Sequence, residues 1–130
     1  MAMILRLLLI AGGVFYALIG LSFLFDPAVT AVGFGIEALD PVGLAAVRAD
    51  FTAFFAVAGG AMVWGGWRRQ GDVLLVPAVL FGIALLGRTV SIFADGTVAG
   101  FWLPMLIEAA TATLCLVASR ALPHRDIPPV

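Results

Sequence analysis

Four long apolar stretches occupy most of the chain, and short polar segments separate them. The first covers residues 4–25 and carries one charge, Arg6, near its start. It is longer than the apolar core of a secretory signal, so it predicts a membrane span. Asp26-Pro27 closes it, since aspartate caps a new helix and proline suits a first turn. Residues 28–39 are apolar but short and interrupted by Gly33 and Gly35. They are too few to cross a bilayer and predict a short helix at the membrane surface or folded against the bundle.

Asp40-Pro41 repeats the start signal, and a second span follows over residues 41–67 without an internal proline. At the helical rise this length reaches about 40 Å, enough to cross with tilt. Arg68-Arg69-Gln70-Gly71 reads as a tight polar turn, and Asp72 as the cap of a third span over residues 73–94. Asp95-Gly96-Thr97 reads as another turn, before a fourth span over residues 98–122. The tail, residues 123–130, holds three prolines and reads as irregular. The fold class is therefore all-α: a membrane four-helix bundle with a short extra helix between spans one and two. Residues 1–122 form one transmembrane domain, followed by the tail.

Composition agrees with this pattern. Of 130 residues, 63% are hydrophobic and 12% charged, with a mean hydropathy of +1.16. A soluble domain carries about 25% charged residues. Four spans of roughly 20 residues leave no length for a soluble catalytic domain. The net charge of −1 argues against a nucleic-acid partner. A single cysteine, Cys115, and a single histidine, His124, rule out an internal disulfide and a multi-histidine or multi-cysteine metal cage in one chain. No phosphate loop, nucleophile elbow or zinc-protease motif occurs, and no cofactor is expected.

Arginine placement sets the orientation. With an even number of spans, Arg6, Arg68, Arg69, Arg120 and Arg125 share one side. The opposite connections carry Asp26, Glu37, Asp40 and Asp95. The positive-inside rule puts both termini in the cytoplasm. Span two carries small residues at Ala49, Ala53, Ala56 and Gly60, and span one at Gly13 and Ala17. Such seams allow close helix approach, within the bundle or across a dimer. Tyr16, Trp64, Trp67 and Trp102 read as interface anchors or packing, Cys115 as a small inward residue, and His124 as solvated.

Four ionisable residues fall inside the spans: Arg48, Asp50, Arg88 and Glu108. Charges at membrane depth are expensive, pair with one another and face protein or water. Counting along each helix from its outer end puts them about 10–15 Å deep. This shared depth predicts one neutral polar cluster joining spans two, three and four. Ser91 and Asp95 share the face of Arg88, and Thr111, Ala112 and Cys115 that of Glu108. Arg48 and Asp50, however, are two residues apart and point about 200° from each other. Arg48 is expected to reach toward Glu37 or Asp40 at the outer surface. That leaves Asp50 with Arg88 as the central pair and Glu108 as the deeper group. The cluster reads either as salt bridges that fix helix register, as an outward-opening pocket for an anion, a zwitterionic headgroup or a proton, or as a contact with another protein.

The stretch from Leu44 to Gly60, with Arg48-x-Asp50 at its centre, resembles a bacterial family of small four-span membrane proteins, the domain-of-unknown-function family 4345. The resemblance extends to Gly87-Arg88 late in span three and to Glu108 in span four, and covers the chain from span one to about Arg120. It implies the four-span fold, the polar site and a bacterial inner membrane location, and no established activity. The function expected is that of a non-enzymatic membrane protein, either an accessory subunit of a membrane complex or a small ligand- or lipid-binding protein. A transporter or channel component acting as a homo-oligomer is the alternative. An enzyme acting on a lipid or quinone ranks third, since no nucleophile–base pair is visible. The partners expected are the bilayer and a larger membrane complex or further copies of the chain.

Overall fold

A computed structural model of the chain describes residues 2–124; the end of the tail, including Arg125, lies outside the described residues. Among the described residues five α-helices follow in order: α1 Ala2–Phe25, α2 Pro27–Val32, α3 Pro41–Arg68, α4 Leu75–Ala94 and α5 Trp102–Ala121. A single 3-10 turn, Asp72–Leu74, leads into α4. There is no strand among the described residues. Four helical segments are long and apolar enough to cross a membrane, which makes this a multi-pass all-α membrane protein.

The expected short helix is α2, and local chemistry bounds it. The Asp26 carboxylate accepts from Val29 N at 3.3 Å, and Pro27 opens the first turn. Gly35 takes φ +72°, and the amides of Gly35 and Ile36 close back on the carbonyls of Val32 and Ala31. This is the pattern of a Schellman motif, in which glycine supplies the left-handed residue. Pro27 and Ala31 face inward, whereas Val29, Val32 and Leu39 are exposed. The segment is thus anchored by a few residues rather than packed along its length. Asp40 caps α3 by accepting from Gly43 N at 2.7 Å.

Two boundaries differ from the sequence reading. Helix α5 starts at Trp102 rather than at residue 98, because Gly100 adopts φ +86° and residues 98–101 form a turn. Pro104 then falls in the first turn of α5, where its missing N–H costs nothing. Asp72 does not cap α4; it lies in the 3-10 turn and pairs with His124, which the sequence reading left solvated. The two groups meet because Gly71 N donates to the carbonyl of Pro123 at 2.9 Å and draws the chain after α5 against the α3–α4 connection.

The helices form two antiparallel hairpins. In the first, α1 packs along α3 with glycine at the crossing. A Cβ on Gly59 would sit 2.5 Å from the Gly13 carbonyl oxygen and 2.7 Å from Ala17 N. The seam on α3 therefore runs through Phe55, Gly59, Met62 and Gly66, all buried. Of the predicted α3 seam of Ala49, Ala53, Ala56 and Gly60, Ala56 borders α1, where a Cβ on Gly20 would lie 3.1 Å from its N, whereas all four residues are exposed and a Cβ on Gly60 would meet nothing within 4 Å. Both stripes are rich in small residues, so spacing did not distinguish them. Gly13 and Ala17 of α1 do lie at the contact.

The second hairpin, α4 and α5, joins the first most tightly at the end where α1 starts and α5 finishes. There Arg6 Nε donates to the Gly66 carbonyl at 2.8 Å, and the Leu74 side chain lies against Gly65. Trp64 Nε1 donates to Gln70 Oε1 at 3.0 Å, with Arg68 over its ring. Aromatic rings fill the middle: Tyr16 against Phe55 and Phe81, and Phe54 against Phe81. At the opposite end the core stops. On α4 the buried residues are Pro77, Ala78 and Phe81, all in its first half. On α5 burial begins at Glu108, and on α3 only at Phe55. The distal ends of α3, α4 and α5 thus lie outside the shared core.

Candidate functional site

The site sits where the shared core ends. Arg88 Nε donates to Glu108 Oε1 at 2.7 Å, linking α4 to α5. Glu108 is 8% exposed and heads the buried face of α5, followed by Thr111, Ala112 and Cys115. Helical spacing explains this stripe, because residues three, four and seven apart share a face. Starting α5 at Trp102 places Glu108 about 9 Å from that helix end, the same depth as Arg88 measured from Ala94. The two charges meet because their helices are antiparallel neighbours of matched depth.

The pair is only half satisfied. Glu108 Oε2 is buried and has no hydrogen-bond partner among the described residues. Arg88 uses one of its five N–H groups on Glu108, and its terminal nitrogens have no partner among the described residues. The Arg88 side chain is 38% exposed. A guanidinium held side-on in this way keeps its two-pronged end free, the geometry that receives a phosphate or carboxylate. Arg88 therefore pairs with Glu108 and not with Asp50, which corrects the expected central pair.

Asp50 is exposed on α3 and makes no ion pair among the described residues. It lies one turn before Phe54, whose ring meets Phe81 at 5.4 Å. From that contact Asp50 is about 6 Å, and Arg88 about 10 Å, further toward the distal end. Side chains lean toward the N-terminus of their own helix. Asp50 thus leans distally and Arg88 leans back toward the core.

Arg48 does not join this group. It is exposed on another face, in a shallow groove with Leu24, Ala45, Ala49, Thr52 and Ala53. Neither Glu37 nor Asp40 meets it; the Asp40 carboxylate is engaged with Gly43 N. The 200° separation of Arg48 and Asp50 on one helix forces this division. Of the four charges within the spans, the structure brings Arg88 and Glu108 into direct contact and leaves Asp50 and Arg48 exposed on α3.

One polar contact escaped the sequence reading. Tyr16 Oη and Thr111 Oγ1 lie 2.7 Å apart and tie α1 to α5 directly beneath Glu108. Thr111 also donates to its own helix at the Ile107 carbonyl, so Tyr16 is the donor toward Thr111. Thr111 already stood on the Glu108 face in the sequence, but nothing there linked it to Tyr16. Among the described residues no three His, Cys, Asp or Glu side chains come together as metal ligands would.

Neither the curated proteins nor the solved structures contain a match to this chain. A family profile does match, over residues 4–119, a region that includes every residue of the site. The chain therefore belongs to the family described as the domain of unknown function DUF4345.

Proposed function

We propose that this protein is a non-enzymatic, multi-pass protein of the bacterial inner membrane that binds a small polar ligand or lipid headgroup. Both termini lie in the cytoplasm, following the arginine distribution, and the site opens toward the outer face. The ligand is held at Arg88, supported by Glu108 and faced by Asp50. The observation that carries this reading is the half-used guanidinium. Arg88 is fixed by one bond to a buried carboxylate while its terminal nitrogens stay accessible. A pair serving only to lock two helices would gain by engaging both prongs of the fork. Binding of this kind also suits an accessory subunit of a membrane complex, with the ligand or a partner's side chain occupying the fork.

The aromatic layer favours binding over conduction. Tyr16, Phe54, Phe55 and Phe81 close the bundle between the site and the arginine-rich end. A transport pathway would need that layer to part.

The test is extraction of the protein with its surrounding lipid in polymer-bounded discs, removal of bulk lipid, and native mass spectrometry. Retained non-protein mass is expected on the wild type and its loss from the folded Arg88→Met/Glu108→Gln variant. Equal retention by both would refute the reading.

A further inference from the structure

We propose that the groove beside Arg48 holds one anionic phospholipid, with its phosphate on the guanidinium and an acyl chain along the small residues of α3. The groove, about 400 Å³, lies between the end of α1 and the first half of α3, and is lined by Leu24, Ala45, Arg48, Ala49, Thr52 and Ala53. Neither Arg88 nor Glu108 lines it, so it is a second site, independent of the one above. Arg48 is exposed, and its guanidinium has no hydrogen bond or ion pair among the described residues. No carboxylate lines the groove, and Asp50, two residues on, points about 200° away. The groove therefore carries one uncompensated positive charge. Thr52 Oγ1, one turn further in, is buried and also lacks a partner among the described residues. A threonine hydroxyl in a helix commonly bonds back to the carbonyl four residues earlier. This one does not, which leaves a donor beside the groove for a glycerol or ester oxygen.

Depth identifies the anion. Helix α3 has 28 residues and is about 42 Å long, more than the hydrocarbon core of about 30 Å. One end is marked as a membrane boundary, because Trp64 and Trp67 are exposed there and Arg68 and Arg69 follow. Arg48 lies about 29 Å along the axis from Trp67, which puts it at the opposite boundary, where lipid phosphates begin. Its side chain leans toward the start of its own helix, and so toward that boundary. Further in on the same side, Ala49, Ala53, Ala56 and Gly60 are exposed and carry at most a methyl group. They form a low furrow in which an extended acyl chain fits. A free inorganic anion would meet one cation and an otherwise apolar lining, whereas an amphiphile uses both. With no carboxylate in the groove, a headgroup ammonium has no counter-charge there. The headgroup expected is therefore one of net negative charge rather than a zwitterion.

The experiment compares the wild type with Arg48→Gln, Arg48→Lys and Ala53→Trp, changes at exposed positions that leave the core intact. Each protein is placed in vesicles of equal glycerol-, ethanolamine- and choline-type phospholipids, and lipid retained after detergent extraction is identified by native mass spectrometry. One glycerol-type lipid is expected on the wild type, with its retention falling about tenfold in Arg48→Gln, the worth of one charge-assisted hydrogen bond. Arg48→Lys is expected to keep the preference, because the charge remains. Ala53→Trp fills the groove and is expected to lower retention of every headgroup type. The same pattern in the Arg88→Met/Glu108→Gln background separates this lipid from a ligand at Arg88. Retention equal in the wild type and Arg48→Gln, or lost only with Arg88→Met/Glu108→Gln, overturns the Arg48 site. A lipid-free mass of two chains that Ala53→Trp reduces to one chain also overturns it, and seats a second copy in the groove.

Discussion

Gly59→Val is expected to destabilise the packing of α1 on α3 strongly, while Gly60→Val at the next position is expected to be nearly silent. At Gly59 an added Cβ meets backbone, 2.5 Å from the Gly13 oxygen and 2.7 Å from Ala17 N. Backbone cannot rotate aside as a side chain can, so α1 and α3 must separate. Overpacking in a tight interior costs about 1–3 kcal/mol, and a clash with backbone belongs at the top of that range. Separation also opens the stack of Phe23 on Phe55 and of Tyr16 on Phe55 that the crossing brings together. At Gly60 nothing lies within 4 Å, so the change stays within about 0.5 kcal/mol. Denaturation in mixed micelles, followed by tryptophan fluorescence, measures both. Equal effects at the two positions would show that the α1–α3 register is wrong.

Arg88→Met is expected to destabilise the protein by about 3 kcal/mol, because it strands a buried carboxylate. Glu108 would then lose its only partner on Oε1, with Oε2 already unpartnered. Adding Glu108→Gln removes the orphan charge and is expected to restore more than half of the loss. The same micelle titration reads the pair as a double-mutant cycle, in which strong non-additivity marks direct coupling. Additive losses would mean that the two side chains do not form the pair. Asp50→Asn combined with Arg88→Met should restore little, since Asp50 is not the partner of Arg88.

The sequence made the architecture legible because membrane spans announce themselves by length and apolar content. Proline and aspartate at Asp26-Pro27 and Asp40-Pro41 located two helix starts correctly. The start of α5 was missed because residues 98–101 are as apolar as a helix, and only the left-handed Gly100 ends that resemblance. Depth counting put Arg88 and Glu108 within about 5 Å of each other in depth, with Glu108 the deeper, but it could not choose their partners. That choice depends on how helices rotate about their axes. Rotation is set by contacts such as Gly59 on Gly13 and Tyr16 on Thr111, which join residues far apart in the chain. The same ignorance of rotation assigned Asp50 to Arg88. His124 is exposed, as expected, but its pairing with Asp72 was not legible, because the two lie across a chain reversal that the sequence does not reveal.

The account requires Asp50 and Arg88 to border a polar opening on the outer face of the membrane rather than to face hydrocarbon. Cysteine labelling tests this most directly. Asp50→Cys, made with Cys115→Ala so that the native buried thiol is absent, would be exposed in intact cells and in inverted vesicles to a membrane-impermeant maleimide. A thiol bordering water ionises and reacts, whereas a thiol in lipid does not. Labelling is expected in intact cells, with little labelling from the inner face. Labelling only in inverted vesicles would reverse the orientation, and no labelling from either face would place Asp50 in lipid and contradict the outward-opening site.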